Sequence, residues 1–261
     1  SIQELHNVFN TRMMDLGALG DDTKALREAA WKYSEKFIDE EGLASQGFSK
    51  GEIAAIKEIS AASRQIVDIV SAEAENVGID FVKLKDYVLP QMHDTRKIAE
   101  NRELAIDAYS KAFARQLLAD TRARKLASDP SADVSNIFLN EKQLAKIRSN
   151  SISYIDELIN LGYSGKKINT WTSKGAKDLS DFKLRLNPLS AHFEQDRVFK
   201  DFEAREAIQD FLVQDVSEII PEYVNKSMPN IEFSRAFGPR GEAIEQLKRS
   251  IQKEAEEAKK A

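Results

Sequence analysis

The sequence has no cysteine among its 261 residues and little glycine or proline, with 11 and 6 residues respectively. The lack of cysteine excludes disulfide bonds, metal sites built on thiolates and a cysteine nucleophile. The scarcity of glycine and proline favours long uninterrupted helices over many short strands, which need frequent turn residues. No stretch approaches the roughly 20 apolar residues that a membrane-spanning helix needs, so we expect no transmembrane segment.

Apolar residues recur at helical spacing along most of the chain. The clearest helix is predicted to begin at a capping box, Ser49 with Glu52, and to end at residues 76–78. The residues of its buried stripe are spaced by three and four: Ile56, Ile59, Ser63, Ile66, Val70, Ala74 and Val77. A helix is also predicted from residues 21–23 to Gly42.

Further helices are predicted along the rest of the chain, after an irregular connector over residues 79–93. One begins at Asp94 or Thr95 and runs to about residue 127, and the next runs from Asn140 to Gly162. The last third is predicted to be helical again, with a kink or a new start at Pro221 and a break over residues 225–229. A short helix stopped by Gly238 and a final amphipathic helix follow.

These patterns predict an all-α protein, an irregular bundle of about seven to nine helices. Residues 163–200 show no sustained periodicity, and a long segment of this kind is often a boundary or a functional loop. We therefore expect an N-terminal helical region over residues 1–162, an irregular connector over 163–200 and a C-terminal helical region over 201–261. The two helical regions are expected to be subdomains that meet near the connector.

No arrangement of reactive side chains typical of an enzyme is visible in the sequence. The three histidines are far apart and none has a second histidine at helical spacing, so we expect no metal site. The grouping of His192, Glu194 and Asp196 suggests a hydrolase of unknown type as a minor hypothesis, but it is more typical of a polar loop. We expect no catalytic activity, no cofactor and no small-molecule ligand.

Charge is unevenly distributed along the chain, whose formal net charge is −5. Residues 96–185 contain 17 Lys and Arg against 11 Asp and Glu. This basic segment supports an alternative function, a helical module that binds nucleic acid, with Trp171 stacking on a base. Arginines beside glycine-rich backbone near Gly238 could likewise hold an anion. The candidate contacts for nucleic acid or an anion are Arg122, Arg124, Lys125, Lys166, Lys167, Trp171, Arg235 and Arg240.

Several short segments follow one another in an order that carries a resemblance to a known family. A helix pair is followed by Asp86 to Asp94, with the sequence DYVLPQMHD, which leads into another helix. Further along come HF at 192–193 with RVF at 197–199, IIPEY at 219–223 and IEFSRAFG at 231–238. Over roughly residues 50–250 the chain therefore resembles large internal virion proteins of tailed bacteriophages, the core or ejection proteins of short-tailed phages.

This resemblance implies a non-enzymatic structural segment of a larger internal or ejection protein that assists genome delivery. It implies a location in the virion, and in the host cytoplasm during assembly. The expected partners are other virion proteins or further copies of the chain, with DNA as the alternative. Some of these phage proteins carry a separate lytic transglycosylase domain, but no glutamate here stands in a lysozyme-like context, so we do not expect that activity.

Overall fold

A computed structural model of the chain describes residues 1–79, 89–163, 199 and 201–238, and five positions between 243 and 251. The structure is 77% helical. It contains no strand in these ranges, and only His93 and Leu212 form an isolated antiparallel bridge there. The predicted all-α class is confirmed. Nine α-helices have described bounds, and the five positions between 243 and 251 are helical as well, so the number fits the expected seven to nine only roughly.

In chain order the helices are α1 Ile2–Asp15, α2 Lys24–Ser34, α3 Glu40–Ser45, α4 Lys50–Asn76, α5 Thr95–Glu100, α6 Arg102–Ser128, α7 Glu141–Tyr163, α8 Phe202–Ile208 and α9 Val216–Phe237. Short 3-10 turns precede α2 and follow α8. Among the described residues, no helix has the length and apolar character that crossing a membrane requires.

The helices belong to two compact units. The first unit includes the described residues up to Pro90 and those from Gln214 onward, and therefore contains α1–α4 and α9. The second unit includes those from Gln91 to Val213 and contains α5–α8. The expected division into residues 1–162, 163–200 and 201–261 follows the order of the chain. It stays a prediction, because almost all of its connector lies outside the described residues.

The first unit is arranged around α4, which packs against α1, α2, α3 and α9. The predicted capping box is present: the Glu52 amide donates to the Ser49 hydroxyl over 3.3 Å, and the Ser49 amide donates to Glu52 over 2.7 Å. The predicted stripe from Ile56 to Ala74 is buried, and α4 ends at Asn76 as expected. Local sequence signals therefore fix both the start and the buried face of this helix.

The helix that begins at Lys24 is shorter than predicted. It ends at Ser34, and Lys36 then adopts a left-handed conformation with φ of 62°. Gly42 was expected to stop this helix, and that prediction is wrong. It lies inside α3, where its amide donates to the carboxylate of Asp39 over 2.8 Å. Asp39 acts as a new N-cap, which divides the predicted helix into two.

In the second unit, Asp94 is an N-cap as predicted, but the helix that it starts ends at Glu100. The chain breaks at Asn101 before α6 begins. The predicted start of the next helix is confirmed, since the side chains of Asn140 and Gln143 each accept a hydrogen bond from the other's amide, both 2.9 Å long. The six residues of α5 and the long α6 therefore replace the single helix expected there.

α9 is one continuous helix that contains both Pro221 and Pro229. The predicted break over residues 225–229 is wrong, because the buried side chains of Val224, Met228 and Ile231 hold both sides of Pro229 against the core. The predicted stop is confirmed at Gly238, which has a φ of 84° and caps the helix.

Candidate functional site

The helices α6 and α7 form an antiparallel hairpin in the second unit. Arg102 at the start of α6 is paired with Asp156 of α7 at 2.8 Å, and Asp107 is paired with Arg148 at 2.5 Å. Residues 121–146 make up the far end of this hairpin, which we call the hairpin tip. None of its side chains is buried. The tip therefore extends beyond the apolar core that holds the rest of the two helices.

The loop of the hairpin tip has a defined shape although it lacks a core. Asp129 accepts hydrogen bonds from the amide and hydroxyl of Ser131, at 3.0 and 2.7 Å. Asp133 accepts the same pair from Ser135, at 2.8 and 2.6 Å. These bonds hold the pKa of both carboxyl groups below their usual range. Two consecutive Asx turns thus replace apolar packing in fixing the loop.

Three large apolar side chains of the hairpin tip face solvent. Phe138 is 74% exposed, Leu144 46% and Leu126 39%. Isolated exposed apolar residues are ordinary, but an exposed phenylalanine on an ordered, projecting loop is unusual, since an aromatic ring gains much from burial. Side chains of this kind are enriched at the centres of protein–protein interfaces. The hairpin tip is therefore the candidate functional site.

Three of the sequence-predicted contact residues come together at the hairpin tip. Lys125 donates to the carbonyl oxygen of Asp133 over 2.7 Å, and Arg122 donates to that of Ile137 over 3.3 Å. Arg124 lies between them and is bound to the carbonyl oxygen of Asp120 over 3.3 Å. Lys125 and Arg122 therefore fasten the loop to the end of α6, whereas the hydrogen bond of Arg124 stays within that helix.

The remaining predicted contact residues are not brought to this site. Arg235 belongs to the first unit, where its guanidinium contacts Glu232 at 2.6 Å and Glu73 at 2.5 Å. Two carboxylates therefore counter its charge. Lys166, Lys167, Trp171 and Arg240 lie outside the described residues, and so do His192, Glu194 and Asp196. Their predicted roles stay predictions.

A partly buried polar cluster that the sequence did not reveal surrounds His93. Nδ1 of its ring is 2.5 Å from the hydroxyl of Tyr109, and Nε2 is 3.1 Å from that of Tyr154. Backbone hydrogen bonds of the neighbouring Met92 and Asp94 to residues 211–213 position the histidine. The three side chains are distant in sequence, so no local spacing indicates that they meet.

The surroundings of His93 hold the three polar groups of the cluster in their uncharged forms. Burial lowers the pKa of His93 to about 4 and raises the pKa of both tyrosines, so all three groups are uncharged at neutral pH. The rings of Phe113, Phe199 and Phe211 pack against the tyrosines. Within the ranges that the structure describes, no three His, Asp or Glu side chains are arranged to hold a metal ion.

Comparison with known proteins identifies no relative. No protein family matches the chain, and neither a curated protein nor a solved structure is similar to it. The features of the chain that bear on its function are the exposed apolar side chains of the hairpin tip, the cations beside them and the charge of each unit. The resemblance to internal virion proteins that the sequence suggested stays a prediction.

Proposed function

We propose that the chain is a non-enzymatic assembly protein that binds other proteins, or further copies of itself, through the hairpin tip. The observation that carries the proposal is Phe138, which is 74% exposed on a loop held in place by its own hydrogen bonds. An ordered loop loses little conformational entropy on binding, so burial of this ring stabilises a complex efficiently. The resemblance to phage core and ejection proteins supports the virion as the assembly in which it acts.

The charge of the hairpin tip favours a protein partner over nucleic acid. The tip carries five Lys and Arg against three Asp and Glu. Asp129 and Asp133 are negatively charged at neutral pH, as ordinary aspartates are, and would repel a phosphate backbone bound at the loop. Nucleic-acid binding depends on many uncompensated cations, whereas an apolar contact with a polar rim does not.

The proposal is tested by the mass of the protein in solution. We expect the mass measured by light scattering to rise with concentration, or discrete complexes to form with co-purified virion proteins. Phe138→Asp should weaken either association at least tenfold. Leu104→Asp is the matched control, since Leu104 is 64% exposed at the other end of α6 and should not matter. A wild-type chain that stays monomeric alone and with every virion protein would refute the proposal.

One observation favours the alternative of nucleic-acid binding. Lys142 and Lys146 are both exposed and lie one turn apart on α7, where they could contact consecutive phosphates. The alternative requires an affinity for DNA that falls steeply as the salt concentration rises. It also requires that this affinity drops when Lys142 and Lys146, or Lys166 and Lys167, are changed to glutamine. If DNA binding is absent or does not depend on salt, the alternative is eliminated.

A further inference from the structure

A groove open to solvent lies between α1 and α4 in the first unit, with a volume of about 380 Å³. Its floor includes the buried side chains of Phe9 and Ile66, and Val8 forms part of its wall while remaining 52% exposed. Arg12 and Asp15 contribute to the polar part of the lining. The groove is thus apolar inside with charged groups beside it, and it is large enough for an aromatic side chain.

The first unit that contains this groove is strongly acidic. Its residues 1–79 and 214–238 carry ten Lys and Arg against eighteen Asp and Glu, a net charge of −8. Arg12 does not offset this charge at the groove, because it is paired with Glu58 at 2.7 Å. The hairpin tip has the opposite sign, with five cations against three acids around its exposed phenylalanine. The tip and the unit that contains the groove therefore carry net charges of opposite sign, and each offers apolar surface.

We propose that the groove between α1 and α4 receives the hairpin tip of a second copy of the chain, with Phe138 as the inserted side chain. The inference rests on the proposed function and specifies its partner. The cations beside Phe138, among them Lys142 and Lys146, would face the acidic unit that contains the groove. A second copy is favoured over an unrelated protein because this chain itself carries both the apolar anchor and an apolar groove in a unit of opposite net charge.

The proposed contact joins two different surfaces, so it is heterologous. Each copy offers one tip and one groove, and a contact of this kind continues from copy to copy until it closes into a ring or extends as a filament. A contact in which two tips pack against each other would instead stop at a dimer. The two arrangements therefore differ in the masses that they produce.

The groove is tested by a substitution on α1. Val8→Lys places a charge in the groove wall and adds a cation that repels the basic tip, so it should weaken self-association at least tenfold. Met14→Lys is the matched control, because Met14 is 64% exposed on the same helix but does not line the groove. Both residues are exposed, so both variants should retain the helical circular dichroism of the wild type.

A mixing experiment separates this contact from one between two tips. The Val8→Lys variant retains an intact tip, and the Phe138→Asp variant retains an intact groove. Each alone should be monomeric, but an equimolar mixture should form heterodimers of twice the monomer mass and nothing larger. If Val8→Lys assembles like the wild type, or the mixture stays monomeric, the groove is not the docking site.

The outcomes also separate this inference from the proposed function. A wild-type chain that is monomeric alone but binds other virion proteins in a manner dependent on Phe138 overturns the second-copy contact and leaves the assembly function standing. A chain that associates with nothing overturns both. Self-association that persists unchanged in Phe138→Asp also contradicts both, because it would use neither the tip nor its groove.

Discussion

The guanidinium of Arg27 in α2 forms a two-pronged ion pair with the carboxylate of Asp215, at 2.8 and 2.9 Å, across 188 residues of sequence. Both side chains are almost completely buried. Arg27 also donates to the carbonyl oxygens of Ala18 and Gly20, while Asp215 caps α9 by accepting from the amide of Ser217. One pair of residues therefore joins the start of α9 to α2 and to the loop before it.

Arg27→Met should strongly destabilise the first unit. The substitution leaves the carboxylate of Asp215 buried without a counter-charge, which typically costs about 3–5 kcal/mol. Lys24→Met is a suitable control, because Lys24 forms an exposed ion pair with Glu28 at 3.7 Å, and such pairs contribute little. Urea unfolding followed by circular dichroism measures the free energy of unfolding of each variant. Equal losses in the two variants would contradict a special role for the buried pair.

The contribution of Asp215 should disappear in acid. Burial raises the pKa of this carboxyl group, but the hydrogen bonds from Arg27 and Ser217 outweigh burial and leave its pKa below the ordinary value. The folded state therefore favours the charged form, and its stabilising effect is present above the unfolded pKa and lost as the pH falls through the folded pKa.

We expect wild type to be more stable than Asp215→Asn at pH 7, and the difference to shrink below about pH 3.9, the ordinary pKa of an aspartate. Asparagine is a suitable replacement because it can still cap a helix, so the comparison isolates the charge. Urea unfolding at several pH values gives the difference. If the difference in stability between wild type and Asp215→Asn does not change down to pH 2, the carboxylate of Asp215 is not responsible for it.

His93 should make the second unit sensitive to mild acid. The pKa of its imidazole is lowered from 6.5 to about 4 by burial, so the unfolded chain binds a proton before the folded chain does. The contribution of neutral His93 to the free energy of unfolding is therefore fully present above pH 6.5, and up to about 3 kcal/mol of it is lost as the pH falls to 4. Unfolding measured at intervals from pH 7 to 4 should show this slope in wild type. The slope of stability against pH should be smaller in His93→Gln, whose side chain cannot titrate. Identical slopes in the two proteins would show that His93 does not cause the sensitivity to acid.

Tyr154→Phe tests the hydrogen bonds of the same cluster. The substitution removes the hydroxyl that lies 3.1 Å from Nε2 of His93 and leaves a partly buried nitrogen without that partner. A buried polar group deprived of its partner typically costs about 1–3 kcal/mol. Thermal unfolding monitored by near-ultraviolet circular dichroism should show the loss. An unchanged transition would mean that the hydroxyl and the imidazole do not interact.

The sequence predicts well those elements whose signals are local. The start and end of α4 and its buried stripe as far as Ala74 are correct, because a capping box and a helical repeat are contained within the helix itself. Val77, the last residue of the predicted stripe, follows the helix and is only half-buried. The buried face of α2, in contrast, includes Arg27 beside Trp31. A buried arginine depends on its partner, Asp215, which no local pattern reveals.

The candidate site was predicted only in part, for a similar reason. The cations at the end of α6 could be identified from their clustering, and the structure places Arg122, Arg124 and Lys125 together. Phe138 could not be identified, because a lone phenylalanine in a loop has the same sequence pattern whether it packs inward or projects into solvent. Its exposure follows from the length by which α6 and α7 extend beyond the core, which is a tertiary property.

The predicted break at Pro229 shows how packing overrides local preference. A proline inside a helix removes one backbone hydrogen bond and collides with the preceding turn, which costs about 3 kcal/mol. α9 nevertheless continues through it, because buried side chains on both sides of the proline gain more from contact with the core than the break would save. The proline therefore remains as a local weakness within a helix that packing maintains.

Pro229→Ala should therefore stabilise the protein. Pro229 is exposed, so the change leaves no cavity, and alanine restores an amide that can donate to the carbonyl oxygen of Asn225. The gain of about 3 kcal/mol is reduced by up to about 1 kcal/mol, because the unfolded chain becomes more flexible, so we expect a net gain of about 2 kcal/mol.

Pro130→Ala, in the exposed loop of the hairpin tip, is the control and should be neutral or slightly destabilising, because only the unfolded-state effect remains. Thermal unfolding of both variants decides the matter: a lower midpoint for Pro229→Ala would mean that the helix does not continue through this position.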